Sequence, residues 1–188
     1  LADLTGAVAY LKAHPRATGK VAITGFCMGG AYAFAAACFV RGLSAESRYL
    51  RFFSPAPALP DALVERLVAV DGHDHIAWGA ICSDCPGEPA IGAVHAVRHG
   101  DGGRIGEYSV AVLDAFHGKG LARMMTAALL VDCLAEGLTG LEVHTLSENR
   151  AAVALVHALG ATWKAESAGV AEYGLDVARA LAALRADR

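Results

Sequence analysis

The chain has 188 residues, of which 55% are hydrophobic and 19% charged, a composition typical of a globular protein. Its formal net charge of −3 lacks the strongly basic balance of nucleic-acid-binding proteins, so no nucleic-acid partner is predicted. No apolar run is long enough for a membrane span, so we expect no membrane partner. Five cysteines are too few for a dense disulfide framework, so we expect a protein of the reducing cytoplasm.

The first 40 residues predict a helix, a short buried strand and a second helix. Apolar residues recur at helical spacing over 3–13, and the strand KVAIT leads into the tight turn GFCMGG, which would expose Cys27. An alanine-rich run to Val40 completes this β-turn-α unit. We therefore predict an N-terminal fragment over 1–40, ahead of a larger domain over 41–188.

The larger segment predicts a mixed α/β domain. Ser44 is a plausible helix N-cap, and from Pro60 onward the order of elements is α-β-β-β-α-β-α-β-β, which indicates helices packed on one sheet. The predicted elements are a helix at 60–70, strands at 75–82, 90–99 and 105–113, a helix at 118–137, a strand at 139–146, a helix at 147–160, strands at 162–166 and 170–177, and a tail helix.

The stretch from 109 to 125 is the one that points to chemistry. A strand ends near Leu113, a loop carries Gly118 and Gly120, and a helix follows. Glycines let backbone amides converge, and the uncompensated N–H groups of a helix start attract anions, so this loop suits a phosphate or pyrophosphate, with Lys119 as a cation at its rim. The spacing matches neither a Walker loop nor a dinucleotide fingerprint. A plain glycine turn is the alternative interpretation.

Two motifs in correct order carry a family resemblance. HGKGLA at 117–122 resembles the pyrophosphate loop of the GNAT acetyltransferases, and ENRAAVALVHALGA at 148–161 resembles that family's second CoA-side motif. LSAESRYLRFF at 43–53 is similar to the entry segment of the bacterial protein-lysine acetyltransferases. The resemblance covers about residues 41–176. It implies a GNAT-like, mostly antiparallel mixed sheet flanked by helices, with acetyl-CoA as co-substrate.

The resemblance also implies roles for individual residues. The cofactor-binding residues it predicts are Val110, Val112, His117, Gly118, Lys119, Gly120, Leu121, Ala122 and Asn149. Glu107 is the predicted general base, with a solvent-facing strand residue as the alternative, and amides near Val112 would polarise the thioester carbonyl. Val156 stands where many members have a tyrosine acid, so no side-chain acid is identified. The implied reaction acetylates an amine, with a protein lysine as the expected acceptor and a small amine as the other option.

Two further constellations lead to other interpretations. Residues 3–37 resemble the nucleophile-elbow segment of the dienelactone hydrolases, so a thiol hydrolase using Cys27 is one alternative function; a non-catalytic CoA-binding module is another. The strand Val21–Thr24 is expected to dock beside the 75–82 strand, or the fragment to be loosely attached.

Histidines and cysteines also occur around the predicted strand at 75–82, namely His73, His75, Cys82 and Cys85. Their spacing is uncommon for a zinc site, so no metal site is predicted.

Overall fold

The computed structural model describes residues 42–54, 60, 66–67, 69–87, 89–100 and 102–186. The predicted N-terminal fragment lies outside these residues, including Cys27 and the docking strand Val21–Thr24. So does most of the helix predicted to start at Pro60. The described residues all belong to the predicted larger domain.

Six strands form one sheet. They are β1 His75–Ile81, β2 Ala90–Arg98, β3 Ile105–Val112, β4 Gly140–Leu146, β5 Thr162–Ser167 and β6 Val170–Asp176. Their spatial order is β1-β2-β3-β4-β6-β5. Every neighbouring pair is antiparallel except β3 and β4, which run parallel. The predicted mixed, mostly antiparallel sheet is therefore confirmed.

Four helices of the described residues accompany the sheet. They are α1 Ala45–Phe52, α2 Leu121–Ala135, α3 Arg150–Ala158 and α4 Val177–Ala186, with a short 3-10 turn at Asp114–Phe116. Ser44 caps α1 as expected, since its side chain accepts a hydrogen bond from the Ser47 amide at 3.0 Å. Within the part of the chain that the structure describes, no helix combines the length and apolarity needed to cross a membrane.

The hydrophobic core lies between one face of the sheet and α2. Strand alternation sends Ile76 and Val94 to this face, where they meet Leu129 of α2, and all three are fully buried. Burying such an aliphatic side chain contributes about 1.5–3 kcal/mol. Tyr108 enters the same core, and its hydroxyl and the Thr126 hydroxyl, 2.7 Å apart, satisfy each other. This packing fixes β3 against α2, the two elements that carry the predicted phosphate loop between them.

The opposite face of the sheet carries α1 and a set of polar side chains. Cross-strand register places His95 of β2 beside Ser109 of β3, and Glu107 of β3 beside Glu142 of β4. Arg51 of α1 donates to Ser109, which identifies this as the α1 side. The polar residues of the candidate site therefore share one face, away from the core.

Among the histidines and cysteines considered for zinc around β1, both cysteines and His75 have other partners. Cys82 and Cys85 form a disulfide in the connection between β1 and β2, which was not predicted from the cysteine spacing. His75 Nε2 lies 2.8 Å from His95 Nδ1, and this contact between β1 and β2 is buried. The described residues contain no group of three or more potential metal ligands.

Candidate active site

A gap in the middle of the sheet forms the candidate site. The parallel register of β3 and β4 runs from Ile105 opposite Gly140 to Tyr108 opposite Val143, and stops there. Both strands continue past this point, but each is then paired only with its outer neighbour, β2 or β6. A cavity of about 920 Å³ opens between them, bordered by α1, the loop before α2, and α3. A volume of this size suits a substrate larger than a simple metabolite.

The backbone of β3 offers hydrogen-bond donors to this gap. The Leu113 amide donates to the Ile91 carbonyl of β2 at 2.9 Å. Because backbone groups alternate in direction along an antiparallel strand, the amides of Val110 and Val112 point the other way, toward β4. Both residues line the cavity at the level where pairing with β4 has ended. These amides are positioned to meet a carbonyl oxygen placed in the gap.

The loop between β3 and α2 has the geometry of an anion site. Gly118 and Gly120 have φ of +70° and +77°, the left-handed region that side chains disfavour. No heavy atom lies within 4 Å of the position a Cβ would take at either glycine. No side chain caps the start of α2, so its first amides face the cavity together with Leu121 and Ala122. Open amides at a helix start fit a pyrophosphate.

Two side chains of this loop turn back onto the protein. His117 Nε2 lies 2.8 Å from the Val112 carbonyl, so its ring braces the loop against the end of β3. The Lys119 ammonium donates to the Ala115 carbonyl at 2.8 Å and lies 4.8 Å from the centre of the Phe116 ring. His117 still lines the cavity, whereas Lys119 does not. In this conformation the loop presents backbone, rather than cationic side chains, to a ligand.

The third wall comes from the start of α3. Asn149 caps this helix, since its Oδ1 accepts a hydrogen bond from the Ala152 amide at 3.1 Å. Asn149 also lines the cavity, which leaves its amide nitrogen as a donor toward a ligand. Val156, at the position of the family's tyrosine acid, is 1% exposed and belongs to the core.

Glu107 and Arg51 form the polar end of the cavity. Glu107 is exposed on the α1 side of β3, and its side chain lines the cavity. Arg51 reaches the same end from α1 and donates to Ser109 Oγ at 2.5 Å. Burial lowers the pKa of Arg51, while the nearby charges of Glu107 and Tyr108 act in the opposite direction. The candidate base therefore has a cation close by.

α1 is also attached to the turn that begins the phosphate loop. Ser47 Oγ donates to Asp114 Oδ1 at 2.6 Å, and hydrogen bonds from Ser47 and Ser44 lower the pKa of Asp114. Ser47 and Arg51 lie one helical turn apart, so a single face of α1 contacts β3 at Ser109 and the following turn at Asp114. α1 thereby becomes a fixed wall of the cavity.

The structure brings nearly all of the predicted site residues around one cavity. Glu107 and the predicted cofactor-binding residues line it together, and Lys119 is the exception. Sequence reasoning missed Arg51 and Ser109, which meet across 58 residues of chain. Both residues lie in segments that the sequence analysis singles out, 43–53 and 109–125, but no local signal in either segment indicates that the two side chains meet.

A splayed mixed sheet with an open glycine loop at a helix start defines an acyltransferase of the GNAT class. The model of the acetyltransferase (GNAT) family matches residues 44–161, and the chain belongs to that family. The predicted family and fold class are thereby confirmed. The model of the dienelactone hydrolase family matches residues 1–57, which agrees with the resemblance seen at 3–37 but extends into α1.

Three known proteins illustrate the relationship. The chain is 31% identical over 134 residues to the acetyltransferase Pat of Mycolicibacterium smegmatis, covering 71% of this chain and 39% of that protein. It thus spans less than half the length of this relative. The GNAT domain of S. lividans PAT superposes with a TM-score of 0.73 at 25% identity, covering 84% of this chain and 92% of that one. A putative acetyltransferase from Salmonella typhimurium, solved with its cofactor acetyl-CoA, has a TM-score of 0.63 at 20% identity, covering 84% and 94%.

Proposed function

We propose that this chain is an acetyl-CoA-dependent N-acetyltransferase whose acceptor is a protein lysine. The observation that carries the proposal is the cavity at the β3–β4 gap, which joins the glycine loop at one end to Glu107 at the other. A structural neighbour solved with acetyl-CoA and membership of the acetyltransferase family support the choice of acetyl donor.

The residues present fit acetyl-CoA along the length of the cavity. The open amides around Gly118 and Gly120 suit its pyrophosphate, since nothing fills the space in front of these glycines. The side-chain amide of Asn149 and the strand amides of Val110 and Val112 suit the polar groups of its extended arm. The thioester then lies at the level of the gap, near Glu107.

Glu107 acts as the general base. A lysine side chain has an unperturbed pKa of about 10.4, so near neutral pH its ammonium must lose a proton before it attacks the thioester carbon. A carboxylate at the exposed end of the cavity takes that proton directly or through one water. The role requires Glu107 to be accessible to the acceptor, and its exposure on the α1 face of β3 supports this.

The backbone of β3 supplies the electrophilic assistance. As the amine adds to the carbonyl carbon, negative charge develops on the carbonyl oxygen, and the amide of Val110 or Val112 stabilises it. The C–S bond then breaks as the attacking nitrogen loses its second proton to water. With Val156 buried in the core, this mechanism assigns no side-chain acid to the departing thiolate, which takes its proton from water. The chain thus contributes a base, oriented amides and a phosphate cradle.

The choice of lysine rests on sequence resemblance rather than on the site. Residues 43–53 resemble the entry segment of the bacterial protein-lysine acetyltransferases, which favours a protein acceptor over a small amine. Glu107 is exposed and lines the cavity, so a side chain presented by a second protein could reach it. We also propose a cytoplasmic location, where acetyl-CoA and acceptor proteins would be available together and where the Cys82–Cys85 disulfide would be open to reduction. A domain boundary near residue 40 is a further part of the proposal.

One pair of measurements tests the proposal and separates it from its alternatives. Calorimetric titration with acetyl-CoA should show saturable binding, and a lysine peptide should then be acetylated at its side chain. Binding without transfer to any amine would indicate a non-catalytic CoA-binding module. An esterase activity that is lost in Cys27→Ala, without acetyl-CoA binding, would indicate the thiol hydrolase.

A further inference from the structure

Arg51 is a half-buried cation in the wall of the cavity, and most of its hydrogen-bond donors are unused. A guanidinium has five N–H donors. Among the described residues, Arg51 donates a single hydrogen bond, to Ser109, and forms no ion pair. Its guanidinium carbon lies 4.8 Å from the centre of the Phe52 ring, and burial lowers its pKa. A guanidinium taken out of water needs partners for its donors, and here Ser109 accepts from one donor while the charge of Glu107 acts from a distance without forming an ion pair, so this arrangement favours an additional anionic ligand.

The cofactor phosphates do not account for this cation. Two other arginines line the cavity, Arg123 in the first turn of α2 and Arg150 at the start of α3. Both lie beside the helix starts that we assign to acetyl-CoA. Arg51 enters from α1 instead, at the end of the cavity that contains Glu107. Its ligand should therefore belong to the acceptor side.

The spacing along β3 sets how far this ligand lies from the reacting amine. Glu107 and Ser109 are two residues apart on the same strand face, a separation of about 7 Å at the rise of a β-strand. An acceptor whose amine is at Glu107 would place a second group, about 7 Å away, beside Ser109 and Arg51. A planar carboxylate matches the forked guanidinium best, since the pair can form two parallel hydrogen bonds.

We infer that Arg51 and Ser109 form a carboxylate subsite, so that the preferred acceptor is a lysine with an acidic side chain next to it. This inference rests on the proposed function and narrows its substrate class. Arg51 would then act as a specificity-determining residue that touches the acceptor, while Glu107 performs the proton transfer. The effect belongs mainly to acceptor binding, and therefore to KM.

Two peptides that differ at one position test the subsite. Both contain a single lysine, followed by Glu in one and by Gln in the other, and both are acetylated with saturating acetyl-CoA. We expect the wild-type chain to favour the Glu peptide about tenfold in kcat/KM, through a lower KM. Arg51→Gln should remove this preference, because kcat/KM falls more for the Glu peptide than for the Gln peptide, and Arg51→Lys should retain part of it.

Arg48→Gln provides a matched control. Arg48 lies on the same helix and its loss removes the same charge, but it donates to the Leu43 carbonyl and does not line the cavity. Its variant should keep the preference for the Glu peptide. Arg51→Gln should in turn keep its affinity for acetyl-CoA in a calorimetric titration, which shows that the variant is folded.

Other outcomes would overturn the inference. Equal rates for the two peptides in the wild-type chain, or a preference that survives in Arg51→Gln, would reject the subsite while leaving the acetyltransferase intact. Faster use of succinyl-CoA than acetyl-CoA, abolished by Arg51→Gln, would mean that the carboxylate comes from the acyl group instead. Acetyl-CoA binding with no acetylation of either peptide would reject the lysine proposal, and the subsite with it.

Discussion

Glu107 is exposed on the α1 side of β3, and its proposed role can be separated from its structural contribution. Glu107→Gln keeps the size and polarity of the side chain but removes the base. We expect acetyl-CoA affinity to be unchanged and the transfer rate at pH 7 to fall by about 10²-fold or more. The deficit should shrink at high pH, where the amine loses its proton unaided. A pH–rate profile of the two proteins measures this, and a normal rate at pH 7 would assign Glu107 to structure alone.

Gly120 and Gly137 offer a comparison in which backbone strain is matched. Both have a left-handed φ, +77° and +76°, and a Cβ would meet nothing within 4 Å at either position. Gly120→Ala and Gly137→Ala should therefore lose similar stability, of the order of 1 kcal/mol. Only the Cβ at Gly120 would project where we place the pyrophosphate, so acetyl-CoA affinity should fall about tenfold or more in that variant alone. Calorimetric titration and thermal unfolding of both variants check this, and equal affinities would remove the loop from the binding site.

At the scale of single residues, the sequence predicts those features that depend only on neighbouring residues in the chain. The glycine turn before α2 could be predicted because Gly118, Lys119 and Gly120 are consecutive, and their backbone conformation depends on few other residues. The orientation of the Lys119 ammonium toward Ala115 could not, since it is decided by the conformation of the turn around Phe116. The contact of Arg51 with Ser109 depends on how α1 packs on the sheet, for which one sequence gives no signal.

At the scale of elements, the residue that caps α3 also lines the cavity. Asn149 caps the helix through Oδ1, while its amide nitrogen remains available to the cavity. Asn149→Ser should keep the cap and lose the amide, whereas Asn149→Ala should lose both. We expect the free energy of unfolding to drop by about 1 kcal/mol in Asn149→Ala only.

Acetyl-CoA affinity should be weakened in both Asn149 variants. Urea unfolding combined with calorimetric titration separates the two effects. If Asn149→Ser binds acetyl-CoA as tightly as the wild-type chain, Asn149 is a helix cap and nothing more.

The elements themselves followed closely from the sequence. The strand predicted at 105–113 is observed at Ile105–Val112, and the helix predicted at 147–160 at Arg150–Ala158. Apolar alternation, glycine turns and an Asn cap fixed these bounds locally. The point where β3 leaves β4 was beyond prediction, because both strands continue their pattern past Tyr108 and Val143.

At the scale of the whole molecule, a buried histidine pair should make the fold sensitive to acid. Burial, followed by the charges of His75 and Arg51, lowers the pKa of His95 from 6.5 to about 3, and burial also lowers the pKa of His75. Between about pH 6.5 and pH 3 the unfolded chain therefore binds more protons than the folded one. Stability is retained above this window and falls as the pH drops through it, by at most about 1.4 kcal/mol per pH unit for each histidine.

Urea unfolding at pH 7 and pH 5 measures this loss. His95→Gln should make stability less dependent on pH than in the wild-type chain. His157→Gln, which changes an exposed histidine, should leave the dependence as it is. A wild-type chain equally stable at both pH values would mean that the pair takes up protons without unfolding.

The gap between β3 and β4 has one consequence for ligand entry. Unpaired strand ends usually fray, but here Ser109–Val112 remains hydrogen-bonded along β2, and His144–Leu146 along β6. At the gap, β3 is therefore hydrogen-bonded to β2 and β4 to β6, whereas the edges of β3 and β4 that face each other are unpaired. A ligand that enters between them meets donors already fixed in direction, so little conformational entropy is lost in ordering the backbone around it. The interruption of the sheet thus presents backbone donors whose direction is set before a ligand binds.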